Sequence, residues 1–197
     1  SRVINNKDDV SAETRQHVND VIKRLDYRPN SFAQNLATNR NILIGLIVSD
    51  VNIPLFPDLI RAVESVAQQN QYSLVLKTSK DDLQREREAL IAMDAMRVDG
   101  VILGVPCLPH DELIERLQSF KSVVLINYDN IDDLDDHISV INVESYQTMT
   151  DLLEGLIALG RRDFVYLSTE FGGYPADKRK QAFVDTLTRH NLYTGSD

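Results

Sequence analysis

From Asn41 onward the chain alternates between short apolar runs and amphipathic helical stretches, and this alternation constrains the fold more than any other feature. ILIGLIVSD is a near-continuous apolar run, as expected for a strand covered on both faces. PDLIRAVESVAQQN follows, with Leu59, Ile60, Val63, Val66 and Ala67 on one helical face. YSLVLKTS reads as a strand, and DDLQREREALIAMDAM as a helix with Leu83, Leu90 and Met93 inward. VDGVILGV, KSVVLINYD, ISVINV and DFVYLS read as further strands. HDELIERLQSF, YQTMTDLLEGLIALG and ADKRKQAFVDTLTRH read as helices, the second ended by Gly160 in the C′ position. Strands separated by helices of ~10–15 residues imply crossover units and a parallel sheet, here with flavodoxin-like strand order.

Ligands of such sheets bind outside the carboxyl ends of the strands, where loops and helix amino termini converge. Those ends carry Ser49 and Asp50, Lys77 and Thr78, Val105 and Pro106, Asn127 to Asp129, and Asn142. Phe56 and Tyr128 are candidate stacking faces.

The first forty residues have a different character. Ser11 is placed to cap a helix, AETRQHVNDVIKRL, whose Val18, Val21, Ile22 and Leu25 form one apolar stripe. SRVIN before it reads as the end of another helix, and NKDD as a polar loop. RPNSFAQNLATNR then carries just one large aliphatic residue, Leu36. A helix of about eight residues there is shorter than the ~12–15 that give even marginal stability in water, so contacts made elsewhere must drive its formation. Asn30 or Ser31 can cap it, and Ala33 permits close backbone approach.

The net charge of −9 is unevenly spread. Residues 1 to 41 hold seven Lys/Arg against five Asp/Glu, a net of +2, and residues 42 to 197 hold 14 against 25, a net of −11. A mildly basic head therefore precedes an acidic body, which restores the option of a nucleic-acid partner that the total charge argues against. At 43% hydrophobic and 26% charged residues the composition is that of a globular chain. No run approaches the ~18–20 apolar residues of a membrane helix and no signal peptide is visible, so cytoplasmic residence is expected. The single Cys107 reads as an apolar filler beside VILGV. The chain begins without Met, in mid-pattern, and is expected to be a fragment.

No glycine-rich phosphate cradle, H-E-x-x-H or G-x-S-x-G occurs. His17, His110, His137 and His190 lie far apart, and Asp132, Asp133, Asp135 and Asp136 read as a solvated loop. Neither an enzyme nor a cofactor or metal site is expected.

The succession SRVIN, VSAETRQHVNDVIKRLDYRPNSFAQNLATNR and ILIGLIVSD closely resembles the lactose/galactose repressor (LacI/GalR) family of transcription regulators. The similarity continues through VDGVILGVP, VVLIN, LIALGRRDFVYLS and PADKRKQAF, and so covers essentially the whole chain. It implies a periplasmic-binding-protein-like parallel-sheet core preceded by a small all-α DNA-binding remnant and a hinge helix. The implied divisions are 1–28, partial helix-turn-helix; 29–40, hinge; 41–142, first lobe of an effector-binding core; and 143–197, the start of a second lobe.

By the same resemblance, two hinge helices of a homodimer pair in the DNA minor groove, with Leu36 wedged between base steps. Ser1, Arg2, Asn5, Tyr27, Asn30, Ser31, Ala33, Gln34 and Leu36 are the implied DNA-facing residues, Arg2 as a bidentate donor. Asp50, Phe56, Asn127, Asn142 and Arg179 are the implied effector contacts, with Phe56 stacking and Arg179 clamping hydroxyls or carboxylates. The sequence departs from the family at Ile53, Pro54 and Leu55, and at Ala182 where glycine is usual. The implied function is a repressor gated by a sugar or sugar phosphate, dimeric through the helices at Pro57–Asn70 and Asp82–Met96, or tetrameric. The alternative is a sugar-binding protein with no DNA role.

Overall fold

The computed structural model describes residues 3, 10–25, 43–168, 174–193 and 195. The chain divides into two compact units, Ser1–Ile42 and Leu43–Asp197. In the first unit, α1 (Ala12–Arg24) begins where expected, with the Thr14 N–H donating to Ser11 Oγ at 3.3 Å. Val18, Val21 and Ile22 are partly buried, and no residue of α1 is fully so. Leu25, assigned to the same stripe from sequence, is 67% exposed because it falls at the C-cap, past the last full turn.

The second unit is built on strands β1 (Leu43–Val48), β2 (Ser73–Thr78), β3 (Gly100–Gly104), β4 (Val123–Ile126) and β5 (Ile138–Ile141). All pair in parallel, in the order β2-β1-β3-β4-β5. The connecting helices are α2 (Leu55–Gln69), α3 (Leu83–Ala95) and α4 (His110–Leu117), and beyond β5 come α5 (Ser145–Ala158) and α6 (Tyr174–Arg189). Successive side chains of a strand face opposite ways, so β1 feeds two cores. Leu46 and Val48 pack with Phe56 beneath α2. Ile47 joins Leu90, Met93, Leu103, Leu113, Leu117 and Leu125 on the other face. The continuous apolar run of β1 is thereby explained: both faces are covered.

Three sequence expectations are corrected by this packing. The helix expected from Pro57 begins at Leu55, which moves Phe56 from a loop onto the helix, three and four residues ahead of Leu59 and Ile60 on the apolar face. Pro57 is tolerated because first-turn N–H groups have no intrahelical acceptor. Leu83, expected inward, is 42% exposed, and the inward position one turn on is held by Glu86, 2% exposed. The expected strand DFVYLS has no ladder among the described residues. Its period of two survives in the packing, with Phe164 and Tyr166 partly buried while Val165 and Leu167 are 84% and 90% exposed. Tyr166 meets Phe183 of α6 with ring centroids 5.2 Å apart, beside the Leu153–Ile157–Leu187 cluster of α5 and α6. Gly160 ends α5 at φ +85, the left-handed conformation glycine adopts without a Cβ clash.

Helices α3 and α4 are joined by a bidentate ion pair, Arg87 Nε and Nη2 to the two oxygens of Glu112 at 2.6 and 2.7 Å, with Arg116 Nε adding a third donor at 2.9 Å. The Arg87 hydrogen bonds hold the Glu112 carboxyl down at about 2, from an ordinary value of 4.5. A carboxylate held low stabilises the fold above its unfolded value and loses that contribution as pH falls toward the folded value. Glu112→Gln is therefore expected to lower the thermal midpoint at neutral pH and to flatten its decline between pH 4.5 and about 2. Parallel melting curves of the two proteins over that window check this; an unchanged acid profile would contradict it.

Candidate ligand cleft and nucleic-acid interface

The strand order reverses between β1 and β3, since the chain leaves β1 toward β2 on one side and returns to β3 on the other. The crevice at the carboxyl ends of these two strands is where an open parallel sheet receives a ligand. On the β1 side, Ser49 is buried, and Asp50 Oδ1 accepts from the Asn52 N–H at 2.9 Å and from Asn52 Nδ2 at 2.8 Å. That turn carries the chain into α2. From β2, the Ser79 and Lys80 N–H groups donate to the Val48 and Ser49 carbonyls at 2.9 and 2.7 Å.

Left-handed backbone gathers at these ends: Lys80 at φ 54, Asp81 at 55, Val105 at 57 and Asn127 at 57. Asparagine adopts this conformation readily, whereas a β-branched valine is strained there by about 1–3 kcal/mol. Neighbouring structure holds both in place, the Val105 N–H donating to Ile126 O at 2.8 Å and the Asn127 N–H to Ile141 O at 2.9 Å.

The expected effector residues fall into distinct roles. Asn127 and Asn142 are brought together, stitching the β4 and β5 ends. Asn127 Oδ1 accepts from the Val143 N–H at 3.1 Å, and Asn142 both accepts from the Tyr128 N–H at 2.8 Å and donates to the Tyr128 carbonyl at 2.7 Å. Asn142→Leu removes both partners of the Tyr128 peptide groups and is expected to cost about 1–3 kcal/mol. A denaturant midpoint equal to that of the unsubstituted protein would contradict the stitch.

Phe56 and Tyr128 are not presented as stacking faces. Phe56 is 1% exposed, and a Cβ added at Gly104 would lie 2.8 Å from its ring. Tyr128 is 7% exposed, with its hydroxyl 2.6 Å from His110 Nδ1. Burial pushes the Tyr128 hydroxyl pKa up, reinforced by Asp129 and Asp111. Arg179 is exposed on α6, and among the described residues no hydrogen bond or ion pair joins it to Asp50, Asn127 or Asn142. Ser1, Arg2, Asn5, Tyr27, Asn30, Ser31, Ala33, Gln34 and Leu36 lie outside the described residues.

The sequence reading missed Glu86. Its signal was present, a carboxylate spaced on the stripe that Leu90 and Met93 continue. Cys107, read as apolar filler, is half-buried, and burial followed by the nearby Glu86 charge pushes its thiol up to about 12. Among the described residues no group of three or more His, Cys, Asp or Glu could hold a metal, and no helix is long and apolar enough to cross a membrane.

Residues 1–30 match the family of bacterial regulatory proteins of the lacI type, and residues 41–194 match the periplasmic binding proteins and sugar binding domain of the LacI family. Catabolite control protein A of Staphylococcus epidermidis is 31% identical over 98% of this chain and 57% of its own length. The chain thus spans less than two thirds of the curated relatives it matches. A lac repressor dimer bound to operator and the anti-inducer ONPF superposes with a TM-score of 0.75 at 26% identity, covering 98% of this chain and 58% of that one. A LacI family transcriptional regulator from Lactobacillus casei with bound sucrose gives 0.68 at 29% identity, covering 79% and 56%. With one family match over the amino-terminal unit and another over most of the sheet-bearing unit, the chain belongs to the LacI family of bacterial regulatory proteins.

Proposed function

We propose that the protein is a cytoplasmic DNA-binding transcriptional regulator, a repressor, whose operator affinity is gated by a small sugar-like effector bound between two core lobes. The observation that carries this reading is the order of the two family matches in one chain, a DNA-binding type at 1–30 and a sugar-binding type at 41–194. A sugar-binding protein without a DNA role has no use for the first. The relatives are regulators by name, which favours binding over catalysis.

In this reading residues 29–40 are the hinge and Asp50, Asn127, Asn142 and Arg179 contact the effector. Asn127 and Asn142 do so from a pre-stitched rim. Homodimerisation through α2 and α3 is supported by apolar surface left exposed there, with Val66 at 60%, Leu55 at 46% and Ile91 at 58%. A groove of about 490 Å³, lined mostly by apolar residues such as Ile44, Val63, Val66 and Ile102 with Asn70 and Tyr72 among them, adjoins the α2 face. Apolar patches of this kind mark interaction surfaces in otherwise soluble chains.

The experiment is a thermal-shift screen of neutral and phosphorylated saccharides on the full-length protein, repeated with double-stranded operator DNA present. A ligand that binds the folded state raises the midpoint, and linkage requires DNA to change ligand affinity by the factor by which ligand changes DNA affinity. A saccharide that binds equally well with and without DNA would contradict gating.

A further inference from the structure

Glu86 is a buried carboxylate with no part in the effector contacts above. From the inward face of α3 it reaches under the β3–α4 connection, residues 105–109. Both its oxygens accept from the Cys107 N–H at 3.1 Å, Oε1 also accepts from the Leu108 N–H at 3.1 Å, and the Cys107 thiol donates to Oε2 at 3.2 Å. Two successive loop amides and a thiol thus converge on one side chain that is 2% exposed. The loop they belong to begins with Val105, whose left-handed backbone a β-branched residue adopts only when its surroundings dictate it. The same loop forms the β3 side of the crevice at the strand-order reversal.

We propose that Glu86 is a positioning residue for the ligand cleft, its carboxylate clasping residues 105–108 so that they form a fixed wall opposite the Asp50 turn. The role of that wall in ligand binding rests on the function proposed above; the clasp itself does not.

A carboxylate does there what an apolar residue could not. A helix-borne apolar side chain would fill the volume but leave the Cys107 and Leu108 amides without acceptors. The carboxylate supplies both, while desolvation penalises its ionised form and raises its pKa, with the Asp81 charge from the β2–α3 loop adding to the rise and the Leu108 and Cys107 hydrogen bonds opposing it. Replacing the carboxylate by an amide of the same shape keeps the core volume filled and weakens the hydrogen bonds to the loop. Loop order should therefore fall locally while the rest of the unit is little changed, which distinguishes a clasp from ordinary core packing.

Cys107, the single cysteine, is a built-in reporter. In the full chain at neutral pH, Glu86→Gln is expected to raise the rate of Cys107 alkylation by iodoacetamide about tenfold or more, the effect of lowering a thiol pKa by one unit or more. Hydrogen exchange at the Cys107 and Leu108 amides should accelerate by a comparable factor, with exchange in the neighbouring strands little changed. Glu86→Asp keeps the charge but is one methylene shorter, so it should restore slow alkylation only in part. Should Glu86→Gln melt lower and exchange faster everywhere in proportion, Glu86 is a core residue and the clasp is overturned.

A measurement on the unsubstituted protein guards against a variant that does not fold. The Cys107 and Leu108 amides must exchange slowly, like the neighbouring strand; rapid exchange there overturns the clasp. These readouts use no ligand. A released loop in a protein that binds no saccharide would count against the cleft reading and support the clasp, whereas an unreleased loop overturns the clasp whatever the saccharide result.

Discussion

Phe56→Ala is expected to destabilise the Leu43–Asp197 unit by about 3–5 kcal/mol, the usual cost of emptying a fully enclosed phenylalanine site. The ring packs with Leu46 and Val48 and, at 1% exposure, has no open face. Gly104 sits so close that an added Cβ would lie 2.8 Å from the ring edge, which shows how little room surrounds it. Strand backbone on one side and helix on the other limit collapse around the void, so the loss combines transfer and cavity contributions. Urea unfolding of the variant beside the unsubstituted protein measures this, given an unchanged m-value. The outcome decides between two roles. A residue that stacks on a ligand, as the family resemblance implies for Phe56, loses ligand affinity on truncation and little stability. A variant with native stability and abolished ligand response would reinstate stacking.

Leu36→Ala in the full-length protein is expected to weaken operator affinity roughly 10- to 100-fold, about 1.4–2.7 kcal/mol, with effector affinity unchanged. In the function proposed above, the family resemblance implies a hinge at residues 29–40 whose one large aliphatic side chain, Leu36, inserts between base steps. Alanine retains helix propensity and removes the wedge, so the substitution isolates insertion from folding of the segment. Electrophoretic or fluorescence titration of one operator fragment with both proteins decides it. Equal affinities would eliminate minor-groove insertion by Leu36.

The sheet was legible because its signal is redundant. Five apolar runs, four of them followed by an amphipathic helix, leave few arrangements, and the structure adopts the flavodoxin-like one. Faces were less legible than elements. Periodicity placed Leu90 and Met93 correctly but put Leu83 inward, where the first residue of the helix is instead 42% exposed and Glu86 takes the inward place one turn on. The position of Glu86 on the stripe was legible but its role was not. A charge on an apolar stripe reads as an interruption until the loop amides it serves are seen beneath it. Among the described residues DFVYLS has no ladder for another reason, since a strand is defined by a neighbour and sequence pattern shows only readiness to pair.

At the site, the strand ends were found by topology alone. That Asn127 staples Val143 and Asn142 staples Tyr128 needed geometry, because an amide that binds a ligand and one that binds backbone look alike in sequence. Phe56 lies on α2 because that helix begins two residues earlier than the periodicity indicates, an uncertainty ordinary for helix boundaries.

The most direct test of a DNA-binding regulator is the affinity of the full-length protein for double-stranded DNA, measured across a range of salt concentrations. The basic head on an acidic body predicts an affinity that falls linearly in the logarithm of salt, with a slope near −0.9 for each phosphate neutralised. No binding at low ionic strength, or binding that does not respond to salt, would contradict it.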